Sequence, residues 1–243
     1  MSIPKEHPRA ESLRQRQLLE AGLKKGIVAP AGMIAFGRGE AFDYLIGEKT
    51  TSPAQKAARA AAALLLLSKN PVLSVNGNVC MLCPKETIEL AKIIGCEIEA
   101  NIFYPPQTRR ELIAAHFEKL GKKILGAKPN KKISKNTSKR MLVDQKGIWS
   151  ADTVLVALED GDRTEILKKN WKNVIAIDLN PKSRTAKKAD ITLVDNVVRA
   201  IPEISMQAKK LKKEKKETLE KIVKSFDNKK NLQESLEIIK QGA

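Results

Sequence analysis

Aromatic residues, cysteines and long apolar segments are all scarce in this chain of 243 residues. Aromatic side chains make up only 4% of the sequence, so the core must consist mainly of aliphatic residues. The same scarcity disfavours a surface that stacks the bases of single-stranded nucleic acid. The three cysteines are an odd number, and only Cys80 and Cys83 lie close together, which excludes a disulfide framework. We therefore expect a protein of a reducing compartment.

Two further absences concern membranes and secretion. The longest apolar run covers residues 60–67, whereas a membrane-spanning helix needs about 20 apolar residues. The first residues, Met-Ser-Ile-Pro-Lys-Glu-His-Pro-Arg, contain no apolar segment typical of a secretory signal. The sequence therefore predicts a cytoplasmic protein without a membrane-spanning helix.

Basic residues outnumber acidic residues, and the formal net charge is +17. About ten lysines and arginines lie between residues 119 and 146, where Asp144 is the only acid, and most of the remaining excess follows Lys209. Lysine-rich segments of this kind are typical of a solvated loop and tail. They can also attract polyanions or phosphorylated small substrates. A nucleic-acid-binding protein is therefore the alternative that the charge leaves open.

Short apolar segments alternate with helical patterns through the middle of the chain. The apolar segments cover 71–75, 97–103, 153–158, 174–177 and 191–194, and the helical patterns cover 54–68, 85–94, 108–120 and 162–169. This alternation is typical of a parallel sheet covered by helices on both faces. The sequence therefore predicts an α/β fold, namely a Rossmann-like three-layer sandwich with a mostly parallel sheet.

Helical patterns also flank this alternation. Leucines spaced along 12–25 predict an N-terminal helix, whereas the glycines and prolines of 26–39 predict a loop. From Val197 to the end the pattern is helical again. We expect a binding domain at 1–205 that includes the N-terminal helical segment. We expect 206–243 to form a basic helical tail that packs on this domain or on a partner subunit.

Polar residues follow three of the predicted strands. In open parallel sheets, ligands bind at the carboxyl ends of strands, because loop amides and helix N-termini converge there. After the first strand, Gly77 allows close approach of the backbone, and Asn76 and Asn78 can each donate and accept hydrogen bonds. An ordinary Asn-Gly turn would explain the same residues.

The second loop, 159–164, contains three carboxylates, of Glu159, Asp160 and Asp162. These groups could bind Mg²⁺ or an ammonium group, and Arg163 could bind a phosphate. Capping of the following helix would account for one acid but not for three. We therefore favour a functional role for this loop, with the metal and the ammonium group both open.

The third loop begins with Asp178, which directly follows a predicted strand. An Asp at this place can bind ribose hydroxyls or an adenine amine, and Ser183 and Arg184 at the next helix start suit a phosphate. Asp195 and Asn196 end the following strand and can reach the same ligand. These loops favour a nucleotide, although neither a P-loop nor a complete dinucleotide fingerprint is present in the sequence.

Five segments together carry a resemblance to a known family. They are Ile3-Pro-Lys-Glu-His-Pro-Arg9, Gly37-Arg-Gly-Glu-Ala-Phe-Asp-Tyr-Leu-Ile-Gly47, Ser74-Val-Asn-Gly-Asn78, Leu158-Glu-Asp-Gly-Asp-Arg-Thr164 and Ile177-Asp-Leu-Asn-Pro-Lys-Ser-Arg-Thr185. In this order they closely resemble the archaeal phosphopantothenate synthetases, which are 4-phosphopantoate:β-alanine ligases of coenzyme A biosynthesis. The resemblance extends from about residue 3 to about residue 202 and weakens in the basic loop and the tail.

The resemblance implies a homodimeric enzyme that forms an amide from 4-phosphopantoate and β-alanine. ATP, with Mg²⁺, would be consumed to AMP and pyrophosphate through a phosphopantoyl adenylate, and 4'-phosphopantothenate would be the product. By the same resemblance, the ATP site would be lined by Arg16, Arg38, Asp178, Leu179, Asn180, Ser183, Arg184, Asp195 and Asn196.

The acid-substrate side has its own candidate residues. Arg9 and Asn78 are expected to bind substrate, and the expected catalytic residues are His7, Asn76, Asp160, Asp162 and Arg163. Arginines would contact the phosphate of 4-phosphopantoate, and the carboxylates would bind Mg²⁺ or the β-alanine ammonium group. Besides nucleic-acid binding, a Rossmann-like regulatory protein that binds a nucleotide without chemistry is a further alternative.

Overall fold

A five-stranded parallel sheet forms the centre of the computed structural model, which describes residues 4, 6–102, 107–134 and 141–242. The strands are β1 Pro71–Val75, β2 Glu97–Ala100, β3 Lys131–Lys132, β4 Leu142–Val143, β5 Thr153–Ala157, β6 Asn173–Ile177 and β7 Ile191–Leu193. The helices are α1 Ala10–Lys24, α2 Pro30–Leu45, α3 Ser52–Leu67, α4 Gly77–Leu82, α5 Pro84–Ile94, α6 Gln107–Lys119, α7 Gly161–Lys169, α8 Arg184–Lys188, α9 Val197–Leu211, α10 Lys216–Ser225 and α11 Asn228–Gln241. The predicted strands and crossover helices of the sheet are thus confirmed to within a few residues.

The strand order of the sheet is β2-β1-β5-β6-β7, and all neighbouring pairs are parallel. From β1 the chain first builds outward to β2 and then returns to add β5, β6 and β7 on the other side. The direction of building therefore reverses between β1 and β5. Such a reversal opens a crevice at the carboxyl ends of the two strands, where ligands of open α/β sheets bind.

Helices cover both faces of this sheet. On one face Leu155 and Ile175 pack in a core that includes α3 and α9. On the other face Val154 and Val174 pack with Ile148 and with residues of α7. Alternate residues of one strand thus enter opposite cores, as expected for a strand that is buried on both sides. The predicted Rossmann-like three-layer sandwich is confirmed.

The segment 26–39 was predicted as a loop, but it is mostly helical because α2 begins at Pro30. The helix contains three glycines. Each glycine inside a helix costs about 1 kcal/mol relative to alanine, and tertiary packing offsets this cost. A Cβ atom at Gly32 would overlap the Asn78 side chain, and one at Gly39 would lie 3.4 Å from Leu179. Gly32 therefore allows α2 to approach the loop after β1 closely, whereas a Cβ atom at Gly39 would make only an ordinary contact.

The basic segment 119–146, predicted as a loop, contains regular structure on either side of residues 135–140, which lie outside the described part. Strands β3 and β4 pair antiparallel, and a π-helical turn follows at Gln145–Trp149. The buried carboxylate of Glu99 holds this turn, because it accepts hydrogen bonds from the backbone N–H groups of Asp144 at 3.1 Å and Ile148 at 2.6 Å. Burial raises the pKa of Glu99 to about 7.

The C-terminal helices pack on the binding domain, which is one of the two arrangements predicted for the tail. Leu219 of α10 and Leu232 of α11 are buried, and both helices contact α3. Helix α9 runs without a break across residue 205, the predicted end of the binding domain. Within the described ranges, no helix has the length and apolar composition needed to span a membrane.

Candidate active site

An open cleft of about 830 Å³ lies at the carboxyl ends of β1, β5 and β6, with α2 along one side. The residues of the sequence prediction that line it are Arg38, Asn76, Asn78, Asp160, Asp178, Leu179, Asn180, Ser183 and Arg184. The cleft therefore includes the place where the direction of chain building reverses, as the strand order requires.

Asn76 joins the two loops at this reversal. Its Oδ1 accepts hydrogen bonds from the backbone N–H groups of Asn78 and Val79, both at 3.1 Å, so these residues form the start of α4 rather than the alternative Asn-Gly turn. Its Nδ2 donates to the carbonyl of Ala157, at the end of β5, over 2.9 Å. A Cβ atom on Gly77 would overlap the Ile27 carbonyl oxygen, so glycine is needed for the close approach of these two backbones.

Asn78 connects the same loop to the helix across the cleft. It is largely buried, and its Nδ2 donates a hydrogen bond of 2.9 Å to the carbonyl of Gly32 in α2. The amide thus fixes one wall of the cleft relative to the other. A ligand in the cleft contacts a wall that is held by hydrogen bonds before it binds.

The acidic loop after β5 divides its residues between the cleft and other surroundings. Glu159 and Asp160 line the cleft, and Asp160 also caps α7 through a 2.8 Å hydrogen bond from the Arg163 N–H. Asp162 is 69% exposed, is not among the lining residues, and pairs with Arg184 at 2.7 Å. The Arg163 side chain is 0% exposed and lies 3.8 Å from Glu159, beneath the loop. As placed, Asp162 and Arg163 do not face a ligand in the cleft.

The loop after β6 is organised around Asp178. Its Oδ1 accepts from the N–H of Asn180 at 2.9 Å, and its Oδ2 accepts from the Ser183 hydroxyl at 2.5 Å. The Ser183 Oγ in turn accepts from the Ala186 N–H at 2.9 Å and caps α8. Burial raises the pKa of Asp178, and the two hydrogen bonds and the nearby Arg38 offset only part of this effect.

Three cations line the cleft within the described residues. Arg38 is exposed on α2, and Arg184 is 62% exposed and also approaches Glu165 at 3.2 Å. The third, Arg109, is absent from the sequence prediction; it lies half-buried in the first turn of α6, with its Nε donating to the Gly26 carbonyl at 3.1 Å. Its position after β2 could have indicated it, because the carboxyl end of this fourth strand lies at the same edge of the sheet as those of β1, β5 and β6.

Asp195 and Asn196, after β7, line a separate cavity of about 20 Å³. This narrow cavity shares Gly39, Leu158 and Leu179 with the cleft, so the two spaces adjoin. A volume of this size holds about one water molecule. In this conformation the two predicted nucleotide residues therefore lie beside the cleft, in a space too small for a nucleotide base.

Internal partners surround these two side chains. The Nδ2 of Asn196 donates to Asp43 Oδ2 at 2.7 Å and to Gln15 Oε1 at 3.1 Å. Asp195 accepts from the Thr50 hydroxyl at 2.6 Å and from Arg199 Nε at 2.9 Å. Burial raises the pKa of Asp195, and the contacts with Arg199 and Thr50 offset part of this effect. Together the residues connect α1, α2 and α9 to the end of β7.

The N-terminal candidates lie around Glu40 of α2 and are not among the cleft-lining residues. The guanidinium of Arg16 contacts both Glu40 oxygens, at distances between 2.7 and 3.1 Å, and Arg9 approaches Glu40 at 3.7 Å. His7 is exposed, and its Nδ1 accepts a 3.0 Å hydrogen bond from the Arg9 N–H. Because Glu40 lines the narrow cavity, these residues are its neighbours rather than neighbours of the open cleft.

The parallel sheet, its reversal point and the polar loops around one cleft define a Rossmann-like α/β protein with a ligand cleft at the carboxyl edge. The family model described as "Phosphopantothenate/pantothenate synthetase" matches residues 53–242. The chain therefore belongs to the phosphopantothenate/pantothenate synthetase family, which confirms the resemblance found in the sequence.

Curated relatives agree with this assignment. A protein of Thermococcus kodakarensis named "4-phosphopantoate--beta-alanine ligase" is 52% identical over 97% of this chain and 91% of its own length. A protein of the same name from Thermococcus onnurineus is 51% identical over the same shares. A third, from Methanosarcina mazei, is 49% identical over 98% of this chain and 94% of its own length.

Proposed function

We propose that this protein joins 4-phosphopantoate to β-alanine in an ATP-dependent reaction that yields 4'-phosphopantothenate, AMP and pyrophosphate, in coenzyme A biosynthesis. The observation that carries the proposal is one cleft, at the reversal point of the sheet, that gathers the predicted residues of three loops in a chain of this family. The name shared by the relatives supports the choice of the two substrates.

The nucleotide occupies the end of the cleft formed by the loop after β6. Asp178 can accept hydrogen bonds from ribose hydroxyls, and Ser183, Arg38 and Arg184 can contact the phosphates. The base extends toward Asp195 and Asn196. Because the cavity at these residues holds about 20 Å³, it must widen before a base enters.

Amide formation then proceeds in two steps. A carboxylate oxygen of 4-phosphopantoate attacks the α-phosphorus of ATP, and the bond from that phosphorus to pyrophosphate breaks. The neutral amine of β-alanine attacks the acyl carbon, the bond to AMP breaks, and the nitrogen loses a proton. The arginines offset phosphate charge that would otherwise repel the attacking carboxylate. In well-oriented reactions, the orientation of two reactants can supply up to about 7–11 kcal/mol.

Asp160 is the cleft carboxylate nearest the reversal point, whereas the Glu159 side chain is only 3% exposed and faces the buried Arg163 at 3.8 Å. Within the described residues, no group of three or more His, Cys, Asp or Glu side chains is arranged to hold a metal ion. Mg²⁺ usually binds through one or two carboxylates and substrate phosphates, so Asp160 fits it. When bound there, Mg²⁺ would neutralise phosphate charge. Asp160 fits the β-alanine ammonium group equally well, and the KM for β-alanine of Asp160→Asn at saturating Mg²⁺ separates the two roles.

The direct test is incubation of the purified protein with ATP, 4-phosphopantoate and β-alanine, followed by mass spectrometry. The proposal predicts equal amounts of 4'-phosphopantothenate and AMP, and neither product when any one substrate is omitted. A nucleotide-binding regulator would bind ATP and form no product. A nucleic-acid-binding protein would instead bind polyanions without ATP, with a steep dependence on salt.

We also propose a homodimer that works in the cytoplasm. On α2, Ile34 is 65% and Leu45 is 44% exposed, and their spacing of three helical turns places them on one face. Exposed apolar side chains on one face of α2 can pack against a second copy of the chain. The three cysteines are free and buried, which fits a reducing compartment. Light scattering on the wild type and on Ile34→Glu tests the dimer, which the substitution should dissociate.

A further inference from the structure

We infer that Arg109 binds the phosphate of 4-phosphopantoate and thereby distinguishes this substrate from unphosphorylated pantoate. This role rests on the proposed function and assigns a specificity-determining residue within the cleft. Arg109 lines the cleft and belongs to α6, the helix that follows β2. Its position along the sheet edge, its local contacts and the placement of the other cations all favour this role.

The strand order sets the distance between Arg109 and the nucleotide end. Ile102 follows β2 and lines the cleft together with Arg109, so the cleft extends across the carboxyl end of β2. Neighbouring strands lie about 4.8 Å apart. The end of β2 is thus about 10 Å from that of β5 and about 14 Å from that of β6, because the order is β2-β1-β5-β6.

The dimensions of the substrate match this spacing. In 4-phosphopantoate, five bonds separate the carboxylate carbon from the phosphorus, which gives a span of about 6 Å when the chain is extended. The carboxylate must meet the α-phosphorus of ATP between the nucleotide loop after β6 and the acid side of the cleft, near β5. Its phosphate then lies one to two strand spacings further on, toward β2 and away from the nucleotide.

The surroundings of Arg109 suit the rest of the acid. Ile27, Ala29 and Ile102 line this part of the cleft and offer an apolar surface for the two methyl groups of the substrate. The Gly26 carbonyl accepts a hydrogen bond from the Arg109 Nε at 3.1 Å. Because this contact holds the guanidinium before a ligand binds, less side-chain freedom is lost on binding.

The other cations of the cleft belong to the nucleotide end. Arg184 pairs with Asp162 at the start of α7, and Arg38 lies beside Gly39 of α2, where a Cβ atom would be 3.4 Å from Leu179 of the loop after β6. No other Lys, Arg or His lines the cleft within the described part of the chain. A phosphate at the β2 end is therefore served by Arg109.

The two arginines predicted from the sequence for this phosphate are placed elsewhere. Arg163 is 0% exposed, and Arg9 contacts Glu40 and lies over the ring of Tyr44, 5.9 Å from its centroid. Neither lines the cleft. Arg109 thus takes over the role that the sequence suggested for an arginine without identifying which one.

The test compares Arg109→Gln and Arg109→Lys with the wild type at saturating ATP and β-alanine. Three quantities are measured: kcat/KM for 4-phosphopantoate, the inhibition constant of pantoate as a competitor of 4-phosphopantoate, and the KM for ATP. A charge-assisted contact to phosphate is lost in Arg109→Gln, so we expect kcat/KM to fall roughly 100-fold. The pantoate constant and the KM for ATP should change less than about threefold, because neither depends on this phosphate.

Arg109→Lys keeps the charge but not the planar fork, and it should show an intermediate loss of roughly tenfold. Circular dichroism shows whether each variant folds. If Arg109→Gln does not fold, the comparison of Arg109→Lys with the wild type tests the role instead. Arg59→Gln, an exposed residue of α3, should behave as the wild type, and Arg38→Gln should raise the KM for ATP while the preference for the phosphorylated acid persists.

Two results would overturn the role of Arg109. One is a folded variant whose kcat/KM for 4-phosphopantoate stays within threefold of the wild type. The other is an equal weakening of 4-phosphopantoate and pantoate, which would mean that Arg109 shapes the cleft without binding the phosphate. A wild type that forms no 4'-phosphopantothenate would instead contradict the proposed function, so the two failures are distinguishable.

Discussion

Two neighbouring regions at the carboxyl edge of the sheet, an open end after β6 and a closed end after β7, carry similar side chains in different surroundings. After β6, Asp178 forms hydrogen bonds within its own loop and faces an open cleft of about 830 Å³. After β7, Asp195 and Asn196 bind residues of other elements and line a cavity of about 20 Å³. The end of a parallel strand therefore brings polar groups to one edge, and tertiary partners decide whether a ligand reaches them.

Helix α2 stands between these two regions. Arg38 of α2 lines the cleft, whereas Asp43 of the same helix accepts a hydrogen bond from Asn196 and forms an ion pair with Arg199. A base that enters the narrow cavity must compete with these contacts. We therefore expect the open end to determine ATP affinity and the closed end to contribute mainly to stability until α2 moves.

The largest effect is expected at the open end, from Asp178→Ala. This change removes the acceptor for ribose and the hydrogen bonds that shape the loop. Lost hydrogen bonds to a charged group cost about 3 kcal/mol, so ATP should bind roughly 100-fold more weakly in a calorimetric titration.

Asp190→Ala is the matched control for this change. Asp190 lies just before β7 and therefore at the amino edge of the sheet, where it pairs with Lys168. This variant should lose some stability and keep its ATP affinity. Unchanged affinity in folded Asp178→Ala would refute the assignment of this loop to the nucleotide.

Gly77→Ala is the next largest change and acts on the fold of the open end. The added Cβ atom would overlap the Ile27 carbonyl oxygen. Overpacking of this kind costs about 2 kcal/mol, so the free energy of unfolding in urea should decrease by about that amount.

Gly37→Ala in α2 is the matched control, and we expect it to increase the free energy of unfolding. No atom lies within 4 Å of a Cβ at this position, and alanine inside a helix is more stable than glycine by about 0.5–1 kcal/mol. A Gly77→Ala protein as stable as the wild type would show that the two backbones are further apart than the structure has them.

At the closed end, Asp43→Asn should affect stability more than ATP affinity. The change removes the charge that pairs with Arg199 and weakens the hold on Asn196. We expect the free energy of unfolding to fall by about 1 kcal/mol, with a change in ATP affinity below threefold. A tenfold loss of affinity at unchanged stability would show that the closed end already serves the nucleotide in the free protein.

The smallest effect concerns pH and again separates the two ends. Burial raises the pKa of Asp178, so this carboxylate takes up a proton at a higher pH than an exposed Asp does. Protonation removes acceptor capacity for ribose hydroxyls, so ATP affinity should fall as the pH decreases toward that pKa. Asp178→Asn cannot titrate and should show a flatter profile, whereas Asp195→Asn should keep the wild-type slope. Parallel profiles for wild type and Asp178→Asn would contradict this assignment.

The sheet was predictable because its signals are local. The apolar runs that became β1, β5 and β6 are bounded by polar residues, so both their type and their ends follow from the sequence. Helix α2 was not predictable in this way. Its glycines disfavour a helix locally, and the benefit of Gly32 comes from the close approach to Asn78, which belongs to a distant loop.

The loops that form the site could be predicted from the sequence, but which of their side chains face the cleft could not. Asp160 caps α7, which sets the helix to begin at Gly161 and so places Asp162 outward and Arg163 inward. A change of one residue in that starting point would rotate both by about 100°. Arg109 was missed because the predicted helix 108–120 included it, and only residues in loops after strands were considered for the site; residues 103–106 lie outside the described part.

The central claim is that the acid is activated by ATP at its carboxylate within this cleft. Its most direct test is turnover of 4-phosphopantoate labelled with ¹⁸O in the carboxylate, with ATP and β-alanine, followed by mass spectrometry of the nucleotide and phosphate products. Because the bond between the acyl carbon and the carboxylate oxygen breaks when the amine attacks, we predict one ¹⁸O atom in AMP for each amide formed. Label in inorganic phosphate, together with ADP in place of AMP, would contradict the account.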